Sequence, residues 1–229
     1  HAGAGAGLSQ SEAVLATGLK PPTIFRIFSS LETAGYIELL PLPPDARKDR
    51  KGRRPLSYVA RRDALSVIGV EFWAERISIG IFDFQGGELY SKVVPLARSP
   101  GPRGTDAQQV TVLIGDLTEA AIAELGLDRS RILGLGLGAP GQVDVRSRSV
   151  SFYSRMPGLV DFPIAARLEE RLSLPVTIHN NCAVIALSEY RHGGLGSGGP
   201  MFMFLLRSGV NGAFIDSGRI YLTSAGTTI

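Results

Sequence analysis

The chain of 229 residues is 44% hydrophobic and 20% charged, holds 28 Gly and 14 Pro, and carries a net charge of +3. That length suits one large domain or two small ones, and no apolar run reaches the roughly 18–20 residues that a membrane helix needs. The lone Cys182 excludes a disulfide framework and a cysteine-only zinc site, and residues 1–7 lack the basic start and apolar core of a secretory leader, so a cytoplasmic protein with no membrane partner is expected.

The charge is unevenly spread. Residues 1–62 hold ten Lys/Arg against five Asp/Glu, which sets a head of +5 on a body of −2. A basic head fits a polyanionic partner. In chain order, Ser9–Ala16 reads as a short helix, Thr17–Lys20 as a turn around Gly18, and Pro21–Ala34 as a second helix. Its two prolines sit in the first turn, where a missing N–H costs nothing. Ile24, Ile27, Phe28 and Leu31 fall at i, i+3, i+4, i+7 and predict the buried face. Gly35 ends the helix. Tyr36–Leu40 reads as a strand and Leu56–Ala60 as its return, after a basic run from Arg47 to Arg54.

Helix, short glycine-bearing turn, and helix with polar outer positions is the helix-turn-helix pattern. The same spacing also fits an ordinary pair of packed helices with a solvated loop. On the first reading, Lys20, Pro22, Thr23, Arg26, Ser29 and Ser30 meet a major groove of double-stranded DNA, with Arg26 suited to guanine. Arg50, Lys51, Arg53 and Arg54 then form a wing that anchors phosphates or reaches a minor groove. The Gly/Ala run at residues 1–7, where such a head normally carries a further helix, is a poor helix former.

From about Leu65 the rhythm changes. Val67–Val70, Ile77–Phe82 and Leu89–Leu96 read as strands, the last two joined by a turn at Asp83–Gly87. A helix around Val110–Ala121, a strand at Arg131–Leu137, a helix at Pro163–Leu172, a strand at Pro175–Ile178 and a helix at Cys182–Tyr190 follow. Met201–Leu206, Gly212–Ile215 and Arg219–Leu222 read as three more strands. Hairpins followed by strand–helix alternation imply an α/β body with a mixed sheet.

Several stretches together resemble the ROK family of repressors, open reading frames and kinases. In the head these are Leu8–Glu12, Thr17–Ile24, Leu31–Ile37 and the Gly52-Arg53-Arg54-Pro55 wing. In the body they are Gly138-Ala139-Pro140-Gly141 and Asn180-Asn181-Cys182-Ala183 with Ala186–Glu189. The resemblance implies a winged helix-turn-helix over residues 1–62 and an actin/hexokinase-like (ribonuclease H-like) body over 63–229. The body would have a first lobe at about 65–178 and a second lobe, incomplete at the C-terminus, at about 179–229. It also implies a sugar or sugar-derivative effector near Gly138, Pro140, Gly141, Asn180 and Asn181. Family members place a sugar-contacting Asn and a Trp where Arg155 and Leu159 stand here. Arg155 would suit an acidic effector, or face solvent beside a site that binds nothing. In the family, a Glu and a zinc-binding His/Cys cluster follow near the point where Ile229 ends this chain, so it reads as either a fragment or a reduced regulator.

The departures concern catalysis. Kinases of the family carry an Asp-x-Gly-Gly-Thr phosphate loop, whereas Glu71-Phe72-Trp73-Ala74-Glu75-Arg76 stands in its place. Glycine lets the backbone approach phosphates; two aromatic rings and two carboxylates do not. Asn181 replaces the Asp that acts as general base, and an amide accepts no proton. The second phosphate loop, Arg207–Gly212, is thinned as well. Gly136–Gly141 fits G-x-G-x-x-G but opens no helix, so no dinucleotide site is expected. Gly193–Gly199 follows a helix instead of preceding one, His179 and His192 lack a second ligand at metal spacing, and Cys182, at a helix start that would favour a thiolate, reads rather as a small packed residue in place of Ala. The expectation is a DNA-binding regulator of carbohydrate-related genes, a repressor or an activator. It has no enzymatic activity, cofactor or metal, and works as a homodimer or higher oligomer when intact. The alternatives are a sugar kinase with an appended DNA-binding head, and a protein-interaction module built from both folds.

Overall fold

The computed structural model describes residues 7–40, 56–96, 105–193, 199–207 and 209–228. Arg50, Lys51, Arg53 and Arg54 lie outside them. The chain divides into two compact units: His1–Ser66 with Phe82–Glu88, and Val67–Ile81 with Leu89–Ile229.

In the first unit the order is β1 (Leu8–Ser9), α1 (Gln10–Thr17), α2 (Pro21–Thr33), β2 (Ile37–Leu39) and β3 (Ser57–Ala60). Ser9 starts α1 through a reciprocal cap: its hydroxyl accepts from the Glu12 N–H at 3.2 Å, and the Glu12 carboxylate accepts from the Ser9 N–H at 2.7 Å. Gly18 ends α1 in the left-handed region, at φ 68°. Pro21 and Pro22 open α2 without wasting a donor. The strands form an antiparallel sheet in the order β1-β3-β2. Ala13, Ile24, Phe28 and Tyr58 make the core, with the Phe28 and Tyr58 rings edge to face at 5.1 Å. Ile27, expected in that core, is 40% exposed, and Leu31 is only half-buried. So small a core buries the i, i+4 stripe of Ile24 and Phe28 and leaves the i+3 flank outside. The strand β1, two residues long, escapes periodicity altogether; it forms because Leu8 and Ser9 pair with Tyr58 and Ser57.

The turn Phe82–Glu88 belongs to the same unit. Its Phe84 N–H donates to the Arg62 carbonyl at 3.1 Å, and the Gln85 side-chain amide donates to the Ala60 carbonyl at 2.6 Å. The buried Asp83 carboxylate shapes it by accepting the N–H groups of Gln85 and Gly87, both at 2.8 Å.

The second unit is built on a five-stranded sheet in the order β11-β7-β4-β5-β6. Its strands are β4 (Ser66–Phe72), β5 (Arg76–Asp83), β6 (Glu88–Pro95), β7 (Ile132–Ala139) and β11 (Val176–Asn180). The parallel pair β7 and β11 is in register from Leu135 beside Val176 to Ala139 beside Asn180. Helices α3 (Ala107–Leu125) and α4 (Ile164–Leu172) complete the core around Ile68, Val70, Ile79, Ile81, Ile114 and Leu168. Periodicity assigns no strands between Ala139 and Pro163. A small antiparallel sheet forms there from β8 (Gln142–Asp144), β9 (Ser149–Phe152) and β10 (Val160–Phe162). Strands of three or four residues are too short to display a period.

After α5 (Asn181–His192) comes a third sheet, β12 (Met201–Leu206), β13 (Val210–Asp216) and β14 (Arg219–Ile220), all antiparallel. Cys182, Ala183 and Ala186 of α5 pack on Ala213 and Ile215. Among the described residues no helix is long and apolar enough to cross a membrane.

Candidate functional site

Two sets of candidate residues lie in the two units. In the first, Lys20 is the N-cap of α2, and Lys20, Pro22, Arg26 and Ser30 are exposed, with Thr23 and Ser29 half-buried. At 100° per residue, Pro22, Arg26 and Ser29 share one stripe, and Thr23 and Ser30 flank it. The first turn of α2 holds no acidic residue. No ion pair to Arg26 occurs among the described residues. Sequence periodicity does not single out Phe25, yet the residue is 60% exposed on the same side of the helix. The readable signal was its place immediately after Ile24, off the buried i, i+4 stripe.

In the second unit, Gly138, Pro140, Gly141, Asn180 and Asn181 come together at the C-terminal ends of β7 and β11. Parallel α/β sheets hold ligands at this end. Gly138 lies beside His179 in register. Asn180 caps α5, its carbonyl oxygen accepting the Cys182 N–H at 2.8 Å, while its amide donates to the Gly141 carbonyl at 2.6 Å. Gly141 has φ +77°, and a Cβ there would stand 2.2 Å from the Phe152 carbonyl, so no other residue fits. Asn181 is 1% exposed. Its amide donates to the Phe72 carbonyl at 3.0 Å, and its own oxygen is buried without a partner. Gly138 is bare because a Cβ would come within 2.8 Å of that oxygen.

The same corner contains the turn that stands for a phosphate loop. Phe72 is fully buried and Trp73 is 6% exposed. The Trp73 backbone N–H donates to the Arg76 carbonyl at 2.9 Å, closing the turn, while its indole Nε1 is buried without a partner, and the Arg207 guanidinium lies 4.9 Å from the centre of the indole ring. The next residues are held too: Arg155 is ion-paired to Glu75. Leu159, where the resemblance implies a Trp, is a fully buried core residue. Phe72, Trp73 and Glu75 are thus each engaged by a different element, and the turn offers packed rings where a phosphate would need free N–H groups.

Burial pushes the His179 imidazole below its ordinary pKa, and its Nδ1 is buried without a partner. Burial pushes the Cys182 thiol up, away from a reactive thiolate. Gly141 is followed by β8 and not by a helix, unlike a dinucleotide fold. No group of three His, Cys, Asp or Glu able to hold a metal occurs among the described residues.

The corner is that of a sugar-kinase-like fold. The profile of the ROK family matches residues 67–228. The chain belongs to the ROK family. It is 23% identical over 208 residues to a xylose repressor of Caldicellulosiruptor bescii, covering 91% of this chain and 50% of the repressor. It is 30% identical over 154 residues to a glucokinase of Halalkalibacterium halodurans, covering 67% of this chain and 44% of that enzyme. Among solved structures, a ROK family transcriptional regulator, described as a homologue of the E. coli MLC protein, shares the fold. Its TM-score is 0.74 at 16% identity, over 97% of this chain and 53% of that one. A ROK hexokinase from Thermus thermophilus matches 71% of this chain and 50% of its own, at a TM-score of 0.58 and 28% identity. The chain therefore spans about half the length of these relatives.

Proposed function

We propose that this chain is the DNA-reading head and effector body of a transcriptional regulator, a repressor of carbohydrate-related genes acting in the cytoplasm, whose body does not phosphorylate sugars. The head spans 1–62 as a winged helix-turn-helix and the body 63–229, with the second lobe from about 179. The observation that carries the reading is the turn of Phe72 and Trp73. It fills the place of a phosphate loop in a chain that also presents Lys20 and Arg26 on an exposed helix start free of acid. The likeness to a xylose repressor over 91% of the chain supports it, as does the fold likeness to a regulator over 97%, head included.

On this reading α2 lies in a major groove, with Lys20, Pro22, Thr23, Arg26, Ser29 and Ser30 toward the DNA and Arg50, Lys51, Arg53 and Arg54 on phosphates. Gly138, Pro140, Gly141, Arg155, Asn180 and Asn181 form the effector corner for a sugar or sugar derivative. The buried Asn181 oxygen is the acceptor left for a hydroxyl. An effector changes DNA binding only by favouring one arrangement of a homodimer or higher oligomer over another. Selection from a random duplex library tests the head: the chain enriches one sequence, and Arg26→Ala loses about 1–3 kcal/mol on it. Unchanged affinity overturns the groove assignment.

The glucokinase relative at 30% identity favours a second reading, a sugar kinase with a DNA-binding head. That reading requires ADP release from ATP with glucose or N-acetylglucosamine. The packed turn and the amide at Asn181 predict none above background.

A further inference from the structure

We propose that Phe25 is a sequence-reading residue that packs on the 5-methyl group of a thymine in duplex DNA, an inference that rests on the reading of α2 as the groove helix. Among the described residues the core of the head is Ala13, Ile24, Phe28 and Tyr58 with Val14 and Ile37 against them, and Phe25 is not part of it. Phenylalanine is also a mediocre helix former, so local preference does not explain it. A single exposed apolar side chain is ordinary; its position is what sets Phe25 apart. Phe25 is 60% exposed in the N-terminal half of α2, the part that meets base edges on this reading, on the side shared by Pro22, Arg26 and Ser29. Before Glu32 the helix carries no acidic residue, and the head as a whole is +5. That charge matches a polyanion and opposes a second copy of the same surface.

A phenyl ring makes no hydrogen bond to a base edge. The apolar feature of the major groove is the thymine methyl, which distinguishes T·A from the other pairs. Arg26, one residue on, supplies the complementary readout at guanine. Together the two side chains read a thymine and a guanine in neighbouring pairs.

The test uses the full chain and the duplex that the wild type enriches from a random library, with copies in which single thymines are replaced by deoxyuridine. That change deletes one methyl group and nothing else. The wild type should lose about fourfold at one thymine per half-site, the worth of one methyl-sized group buried. Phe25→Ala should bind the parent duplex more weakly by at least that factor and be indifferent to the methyl. Arg26→Ala should bind more weakly yet still discriminate thymine from deoxyuridine. Because Phe25 lies outside the core, Phe25→Ala keeps the wild-type circular dichroism. Sequence-preferring binding with no methyl effect, or with a methyl effect that survives in Phe25→Ala, overturns the inference and leaves the regulator reading standing. A loss of self-association in Phe25→Ala without a methyl effect assigns the ring to a second copy and overturns it as well. If no sequence is enriched at all, the regulator reading falls and takes this inference with it.

Discussion

Asn181 joins chemistry and packing in one side chain. Its amide holds the Phe72 carbonyl, and its oxygen sits unpaired above Gly138. Asn181→Asp removes the donor and sets a carboxylate beside a carbonyl in a buried place. We expect a loss of about 2–3 kcal/mol at pH 7 in urea unfolding, smaller toward pH 5 as the acid protonates, and no sugar-dependent ATP turnover, because Trp73 still fills the turn. His179 adds a separate pH dependence. Its folded pKa lies below the ordinary 6.5, so the unfolded chain binds the proton first. Its contribution is complete above about pH 6.5 and is lost as pH falls below it. His179→Gln should flatten the fall in unfolding midpoint between about pH 6.5 and 5.5; an unchanged slope would remove His179 from the account. The Asn pair was legible in the sequence. Its partners were not, since Gly141 and Phe72 lie 39 and 109 residues away and only the folded sheet brings them near.

The elements differ in how plainly they were written. The helices α1 and α2 carry their own boundary signals, Gly18 at the end of α1 and the two prolines at the start of α2, and these limits follow from sequence. Strands β8, β9 and β10, each three or four residues long, do not, because their pairing and not their pattern defines them. The β4–β5 turn could be read as unfit for phosphate. That Arg207 and Arg155 would hold it required the fold, which brings the end of β12 and the segment after β9 to the same corner. In the first unit, α2 is anchored by the ring pair of Phe28 and Tyr58. Phe28→Ala should cost that unit about 3–4 kcal/mol and abolish DNA retention. The emission of Trp73, the one tryptophan of the chain, lies in the other unit and should stay unchanged. A shifted Trp73 spectrum would show the two units to be one cooperative body.

At the scale of the molecule, the charge is divided between a head of +5 and a body of −2. Composition already showed this asymmetry, and with the basic run it pointed to a polyanion; the order of ROK-like stretches pointed to the body fold that the family match bears out. DNA reading by this chain is tested by its affinity for its enriched duplex and for a scrambled one, across about 50 to 200 mM salt. Binding that prefers the enriched duplex, and whose logarithm falls linearly and steeply with that of the salt concentration, is the predicted result. Equal affinity for both duplexes, or affinity indifferent to salt, would contradict it.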